Sequence, residues 1–133
     1  MRTIKFRGRN RQGKWLYGDL LHIDNESYIL PEDALDSMNN YLVIPDTVEQ
    51  FTGLLDKNGK EIYEGDIMRV PPTECNNEIT GVVEFDRCSY FIRSFLSGTC
   101  HSLAWTMRER MIGEPRSFII GNIHDNPELS NSL

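Results

Sequence analysis

The sequence predicts a mainly-β fold, α+β by element count, with one short helix near the C-terminal third. The strands are expected to form either small antiparallel sheets or an SH3-like, partly open barrel. Three observations predict this: period-two alternation near the N-terminus, a hairpin-like pattern that occurs twice, and later short apolar runs bounded by turn residues. The 133 residues suffice for one domain with a core, so we predict a single unit over 1–133. Possible substructure divides it into an N-terminal hairpin region, 1–50, and a β-barrel-like region, 51–127.

The first 21 residues predict a β-hairpin. Ile4 and Phe6 alternate with Lys5 and Arg7, which is the period of a half-buried strand. A polar, turn-rich stretch, 8–13, separates this strand from a second apolar run over 15–21.

The hairpin pattern returns in the middle of the chain. The frame F-x-G, a polar turn, G-K-x-[LI]-Y and G-D-[LI] starts at Phe6 and again at Phe51, which indicates a duplicated hairpin. Glycine supplies the turns and the Asp of each Gly-Asp pair is expected to accept hydrogen bonds from nearby amides, so a paired-carboxylate acid–base site is disfavoured. The residues given such structural roles, here and in the last turn, are Gly8, Gly18, Asp19, Gly53, Asn58, Gly59, Gly65, Asp66, Gly121, Asn122 and Pro127.

The remaining elements are read from shorter signals. Strands are predicted over 66–70, 82–85, 90–95 and 118–120. Leu103, Met107 and Met111 recur every four residues, which predicts a helix over about 100–112. Pro31 and the acids after it predict either a single helical turn or an ordered loop.

Charge is distributed unevenly along the chain. The formal net charge is −6, yet six bases and no acid precede Asp19. A generally basic nucleic-acid binder is therefore excluded, whereas a basic strand on an acidic body is not. Lys5, Arg7 and Arg9 share strand parity and are candidates for phosphate contact. We favour the alternative that acids of the same chain neutralise them.

Nothing in the sequence predicts a metal site, a cofactor or a catalytic residue. Cys75, Cys88 and Cys100 show no metal-ligand spacing, and we expect reduced thiols, with Cys88 and Cys100 small and partly buried. His124 beside Asp125 in a turn-rich segment is the best support for a small enzyme.

Three stretches of the chain carry a family resemblance. The protein resembles the YopX-like proteins, which are small proteins of phages and of prophage regions in bacterial genomes. The resemblance implies a β-rich fold with small barrel-like elements, and it implies no activity, substrate or catalytic residue. The matching stretches are 4–8 with 13–19, then 43–67, and finally 120–129.

These observations favour a non-enzymatic binding or regulatory module, an accessory protein from a phage or prophage that acts on a protein partner. The alternatives are a nucleic-acid-associated protein that uses the basic N-terminal strand and a homo-oligomeric structural component; a small enzyme ranks last. No apolar run approaches the length of a membrane span and no signal peptide is recognisable, so we expect a location in the cytoplasm of a bacterial host. Aromatic residues offered as stacking or anchoring groups are Trp15, Tyr17, Tyr63 and Trp105.

Overall fold

The computed structural model describes residues 3–72, 74, 77–108 and 116–131. The chain divides into two compact units, Met1–Gly53 and Leu54–Leu133. Over the described residues the strands form two antiparallel sheets that are not closed into a barrel. The mainly-β prediction is confirmed, in its form of small antiparallel sheets.

The first unit is an antiparallel sheet with a hydrophobic core on one face. Its strands lie in the order β4-β3-β2-β1-β5, and β5 continues past Gly53 into the second unit. Leu16, Ile29, Tyr41 and Val43 form the buried cluster of this unit. The strands are β1 (Phe6–Arg9), β2 (Trp15–Ile23), β3 (Glu26–Leu30), β4 (Leu42–Val43) and β5 (Glu49–Leu55), with 3₁₀ turns at Met38–Tyr41 and Pro45–Thr47.

The segment after Pro31 is an ordered loop, one of the two predicted forms. The hydroxyl oxygen of Tyr41 accepts hydrogen bonds from the amides of Leu35, at 3.1 Å, and Asp36, at 3.0 Å. Because two consecutive amides are held by one buried side chain, the loop has a fixed conformation without being helical.

The second unit contains a five-stranded antiparallel sheet in the order β10-β9-β8-β7-β11. Its core gathers Ile62, Met68, Val83, Ile92 and Leu103, all of which are buried. The strands are β6 (Glu61–Tyr63), β7 (Asp66–Val70), β8 (Ile79–Asp86), β9 (Ser89–Ser94), β10 (Cys100–Ser102) and β11 (Phe118–Asn122), and the helices are α1 (Leu103–Arg108) and α2 (Glu128–Asn131).

The predicted helix over 100–112 is shorter than its periodicity indicates. It begins at Leu103, because residues 100–102 pair with β9 as strand β10. Residues 109–112 of the prediction lie outside the described residues. Leu103, the first residue of the predicted apolar stripe, is fully buried in the core of the second unit.

The two copies of the sequence frame fold into the same turn. In the first, the side-chain oxygen of Asn10 accepts the amides of Gln12 at 3.0 Å and Lys14 at 2.9 Å. In the second, Asp56 accepts the amides of Asn58 at 2.8 Å and Lys60 at 2.9 Å. The glycine before each lysine has a positive φ, 85° in Gly13 and 79° in Gly59, which only glycine adopts without strain. The predicted duplication is thus a repeated hairpin turn.

The copies diverge at the Gly-Asp pair, where the second has one extra residue, Glu64. In the first copy Gly18 lies inside β2, and a Cβ there would stand 2.0 Å from the carbonyl oxygen of Leu30. In the second copy the chain turns between β6 and β7, and buried Asp66 accepts the amide of Tyr63 at 2.8 Å. A single insertion therefore converts a continuous strand into two strands.

The β8–β9 turn contains residues poorly suited to its backbone. Asp86 pairs with Ser89, so Arg87 and Cys88 form a two-residue loop with φ of 50° and 70°. Asparagine and glycine tolerate this left-handed pair far better than arginine and cysteine do. Replacing Arg87→Asn and Cys88→Gly together is expected to raise the free energy of unfolding by about 1–2 kcal/mol.

Urea unfolding of this double variant measures the gain. The matched control is Asn25→Gly in the β2–β3 turn, where Asp24 and Asn25 have φ of 50° and 65° but belong to the types that adopt such values. The control is expected to gain less than the Arg87/Cys88 variant; an equal gain in both would contradict the assignment of strain to the β8–β9 turn.

Candidate functional site

The basic N-terminal strand does not present three exposed cations. Arg7 is 4% exposed, and its guanidinium contacts buried Glu49 through Nε at 2.9 Å and through a terminal nitrogen at 2.8 Å. The same guanidinium lies 4.7 Å from the centre of the Trp15 ring. A phosphate therefore has no access to Arg7, because that charge is already satisfied inside the fold.

The other two members of the predicted stripe lie in different surroundings. Arg9 is half-buried, and its backbone amide donates to the hydroxyl of Thr47 at 2.8 Å. Lys5 is half-buried and lines a shallow cavity of about 290 Å³ together with Asp19 and Glu32. The contact between Arg7 and Glu49 agrees with the expectation that acids of the same chain neutralise the N-terminal bases.

The predicted Gly-Asp residues have separate local environments. Asp66 is buried, and its carboxylate accepts the amide of Tyr63, three residues earlier in the chain. Asp19 is exposed on β2, where it faces Leu30 of β3.

The histidine segment is organised by asparagines. The side-chain oxygen of Asn122 accepts the amides of His124 and Asp125, both at 2.9 Å, and its Nδ2 donates to the carboxylate of Asp125 at 3.0 Å. The side chain of Asn126 accepts the amide of Asn122 at 3.2 Å, and a Cβ on Gly121 would lie 2.5 Å from that oxygen. These contacts build a tight turn after β11.

The cysteines differ from the expectation. Cys88 and Cys100 are exposed free thiols, so the prediction that they are partly buried is wrong. Cys88 is at the tip of a two-residue turn and Cys100 begins the edge strand β10, and neither position packs a side chain inward. Cys75 lies outside the described residues, as does the side chain of Trp105.

In the part of the chain that the structure describes, no group of three or more His, Cys, Asp or Glu residues is arranged to hold a metal ion. A second shallow cavity, about 280 Å³, lies in the second unit and is lined by His101, Ser94, Thr99 and Glu78 among others. Glu78 is paired with Arg69 at 2.9 Å. Arg93 on β9 contacts Glu84 on β8. The hydrogen bond to Glu84 and the negative charge of Glu84 raise the pKa of Arg93 above its ordinary value.

The hairpin of β2 and β3 carries the surface that sequence reasoning missed. Its residues 21–26 are all exposed, and they include Leu21 at 36% and Ile23 at 42%. Tyr17, four residues before Leu21 on the same side of β2, is 44% exposed. We call the stretch 19–28 of this hairpin the arm. The signal that identifies it is Asp24-Asn25 between two apolar runs, a pair suited to a tight hairpin turn.

On its β2 side the arm extends beyond the neighbouring strand, whereas β4 runs alongside β3 to within one residue of the turn. Strand β1 pairs with β2 only over Trp15–Gly18, and β4 pairs with β3 only at Ser27 and Tyr28. On β2, Tyr17, Leu21 and Ile23 project from one face, where an ordinary solvent-facing strand has polar residues. Side chains of this kind on an exposed face mark surfaces that contact other molecules.

Acids border the arm. Glu26 lies directly opposite Ile23 in the register, and Asp24 follows Ile23 in the turn. Asp19 lies two residues before Leu21 on the same face. It lines the cavity that Lys5 and Glu32 also line. The apolar side chains of the arm are therefore flanked by carboxylates at both ends.

The fold and this surface define a mainly-β protein that is built on a repeated hairpin turn and carries an exposed β-arm. The family model for YopX protein matches residues 5–130, and the chain belongs to the YopX family. The crystal structure of protein EF1440 from Enterococcus faecalis has a similar fold: the TM-score is 0.61 at 25% identity, over 98% of this chain and 99% of that one. No curated protein matches the chain. No helix among the described residues has the length and hydrophobicity to cross a membrane.

Proposed function

We propose that this protein is a non-catalytic binding or regulatory module that engages a protein partner through its β2–β3 arm. The observation that supports it is the run of exposed residues 21–26, in which Leu21 and Ile23 are displayed on a hairpin whose β2 strand extends past β1.

The wider setting of the proposal comes from the family resemblance. We place the protein in a phage or prophage, acting in the cytoplasm of the bacterial host as an adaptor or regulator. The segment around His124 has a structural role in this proposal, because the Asn122 side chain accepts the amides of His124 and Asp125 and holds them in a tight turn.

The nucleic-acid alternative is weakened because Arg7, the middle cation of the predicted basic stripe, is buried. Arg7 is held by Glu49, and the arm is bordered by acids, which phosphates avoid. Exposed apolar side chains beside carboxylates instead suit a protein partner.

The proposal is tested with the double variant Leu21→Thr/Ile23→Thr, which keeps residues that favour strands. Partners captured from the host and then purified are expected to bind the variant at least about tenfold more weakly than wild type, because two interface contacts are lost. Isothermal titration with the purified partner measures the change. Stability is expected to stay within about 0.5 kcal/mol, since both replaced side chains are exposed.

Leu55→Thr is the matched control. Leu55 is 49% exposed near the end of β5, in the second unit, and so offers a similar strand leucine away from the arm. The control is expected to bind like wild type. Equal affinity of the arm variant and wild type for every purified partner would refute the proposal.

A further inference from the structure

The arm has an open strand edge on its β1 side. Strand β1 ends its pairing with β2 at Gly18, but β2 continues to Ile23. Over Asp19–Ile23 the described residues place β3 on one side of β2 and no strand on the other.

The register identifies the backbone groups on that edge. A two-residue turn closes a hydrogen-bonded pair, here Ile23 with Glu26, and such pairs alternate along an antiparallel ladder. Ile23, Leu21 and Asp19 therefore direct their amides and carbonyls at β3. Leu20 and His22 direct theirs away from it, with the same parity as Gly18, which pairs with β1.

From Leu20 to Ile23 this edge carries none of three features that keep strands from pairing with foreign chains. Folded proteins protect open edges with lysine, proline or a β-bulge. The segment Asp19–Ile23 reads Asp-Leu-Leu-His-Ile, and its register with β3 is continuous. An unprotected edge beside exposed apolar side chains is a template for strand addition.

We infer that the partner of the arm supplies an extended segment that pairs with β2 along Leu20 and His22, a mode that rests on the proposed function. On the outer face, residues of this segment opposite Leu21 and Ile23 are apolar. Residues at its two ends are Lys or Arg, because Asp19 borders one end of the arm and Asp24 with Glu26 the other. Directly opposite side chains of unlike charge stabilise such pairing.

A second copy of this chain does not fit the same edge. It would bring Asp19, Asp24 and Glu26 of both copies to one interface, between chains that each carry a net charge of −6. Like charges brought together in this way oppose association. The occupant is therefore a different protein with basic residues.

The test uses the peptide Lys-Thr-Val-Thr-Val-Thr-Lys, with acetylated and amidated ends, against its counterpart with Glu in place of both Lys. NMR titration of the full chain is expected to give at least about tenfold tighter binding of the lysine peptide. Hydrogen exchange at the amides of Leu20 and His22, which point away from β3 in the free protein, is expected to slow in the complex. The amides of Leu21 and Ile23, bonded to β3, are slow in both states.

His22→Pro and His22→Ala separate the backbone from the side chain. Both remove the imidazole, which lies 3.3 Å from the Ser27 hydroxyl, but only proline removes the outward amide. Proline is tolerated where a strand amide faces solvent, and the amide shifts of Ile29 and Val43 check that the core is intact. The alanine variant is expected to bind the lysine peptide within about twofold of wild type, and the proline variant at least about tenfold more weakly.

Equal binding of the two peptides, unchanged exchange at Leu20 and His22, or wild-type affinity in His22→Pro would each overturn strand addition. The proposed function is judged separately by the Leu21/Ile23 variant. If that variant loses its purified partner while His22→Pro keeps it, the arm binds by side chains alone and only this inference fails.

Discussion

Replacing Arg7 by methionine is expected to lower the free energy of unfolding by about 3–5 kcal/mol. Arg7 and Glu49 approach to 2.8 Å with side chains that are 5% and 8% exposed. Methionine fills much of the space beside Trp15, but it leaves the Glu49 carboxylate buried without the guanidinium. The loss therefore comes mainly from a buried carboxylate that has lost its contact with this guanidinium, and only in part from lost packing.

The double variant Arg7→Met/Glu49→Leu distinguishes these causes. If the loss comes from the stranded carboxylate, removing it returns the free energy of unfolding to within about 1–2 kcal/mol of wild type, since apolar replacements of buried ion pairs are often close to neutral. Urea unfolding of wild type, both single variants and the double variant completes the cycle.

Arg93→Met is the matched control for the Arg7 variant. Its guanidinium approaches Glu84 to 2.7 Å, as close as the buried pair, but the side chains are 46% and 39% exposed. Solvent screens this pair, so the loss of stability in Arg93→Met is expected to be much smaller than in Arg7→Met. Similar losses for Arg7→Met and Arg93→Met would contradict the importance of burial.

Arg7 also shows where sequence reasoning reaches its limit. Alternation correctly predicted a strand at Phe6 and Arg7 and placed the bases on a shared parity. Parity does not reveal what covers a face, and the acid that holds Arg7 is 42 residues away, on β5. The local pattern therefore predicts the strand, whereas the tertiary fold determines whether its charge is available to a ligand.

The elements most strongly predicted were those with local signals. Strand β7 has the predicted bounds, 66–70, because the Gly65 turn precedes it and Pro71 follows it. Strand β3 was missed, since Ser27 and Tyr28 do not form a clear apolar alternation, and with it the arm was missed. The Asp24-Asn25 turn was the available clue.

A second large loss of stability is expected from a change at Asp56, in the hairpin turn of the second copy of the repeat. Asp56→Asn is expected to lower the free energy of unfolding by about 2–3 kcal/mol. Asp56 is 4% exposed, and its second carboxylate oxygen accepts the amide of Ile119 at 3.1 Å. An asparagine that keeps the turn presents an NH₂ group to that amide, so two donors face each other in a buried site.

The contacts around Asp56 tie the turn to the start of β11. The amide of Lys57 donates to the carbonyl of Ser117 at 3.0 Å, and the ammonium of Lys57 lies 4.5 Å from the centre of the Phe118 ring. Amide exchange at Ile119 is therefore expected to quicken in Asp56→Asn together with the fall in stability. Unchanged exchange there would show that the carboxylate does not secure β11.

The repeat supplies the reciprocal control. Asn10 occupies the equivalent position of the first hairpin turn, and its single side-chain oxygen accepts the equivalent pair of amides. Asn10→Asp is expected to change the free energy of unfolding by less than about 0.5 kcal/mol, because the accepting oxygen is kept at an exposed turn. The same exchange of Asn and Asp thus has different effects in two turns with the same local bonds. The difference in stability measures the contribution of the hydrogen bond between Asp56 and Ile119 of β11, which is 63 residues away.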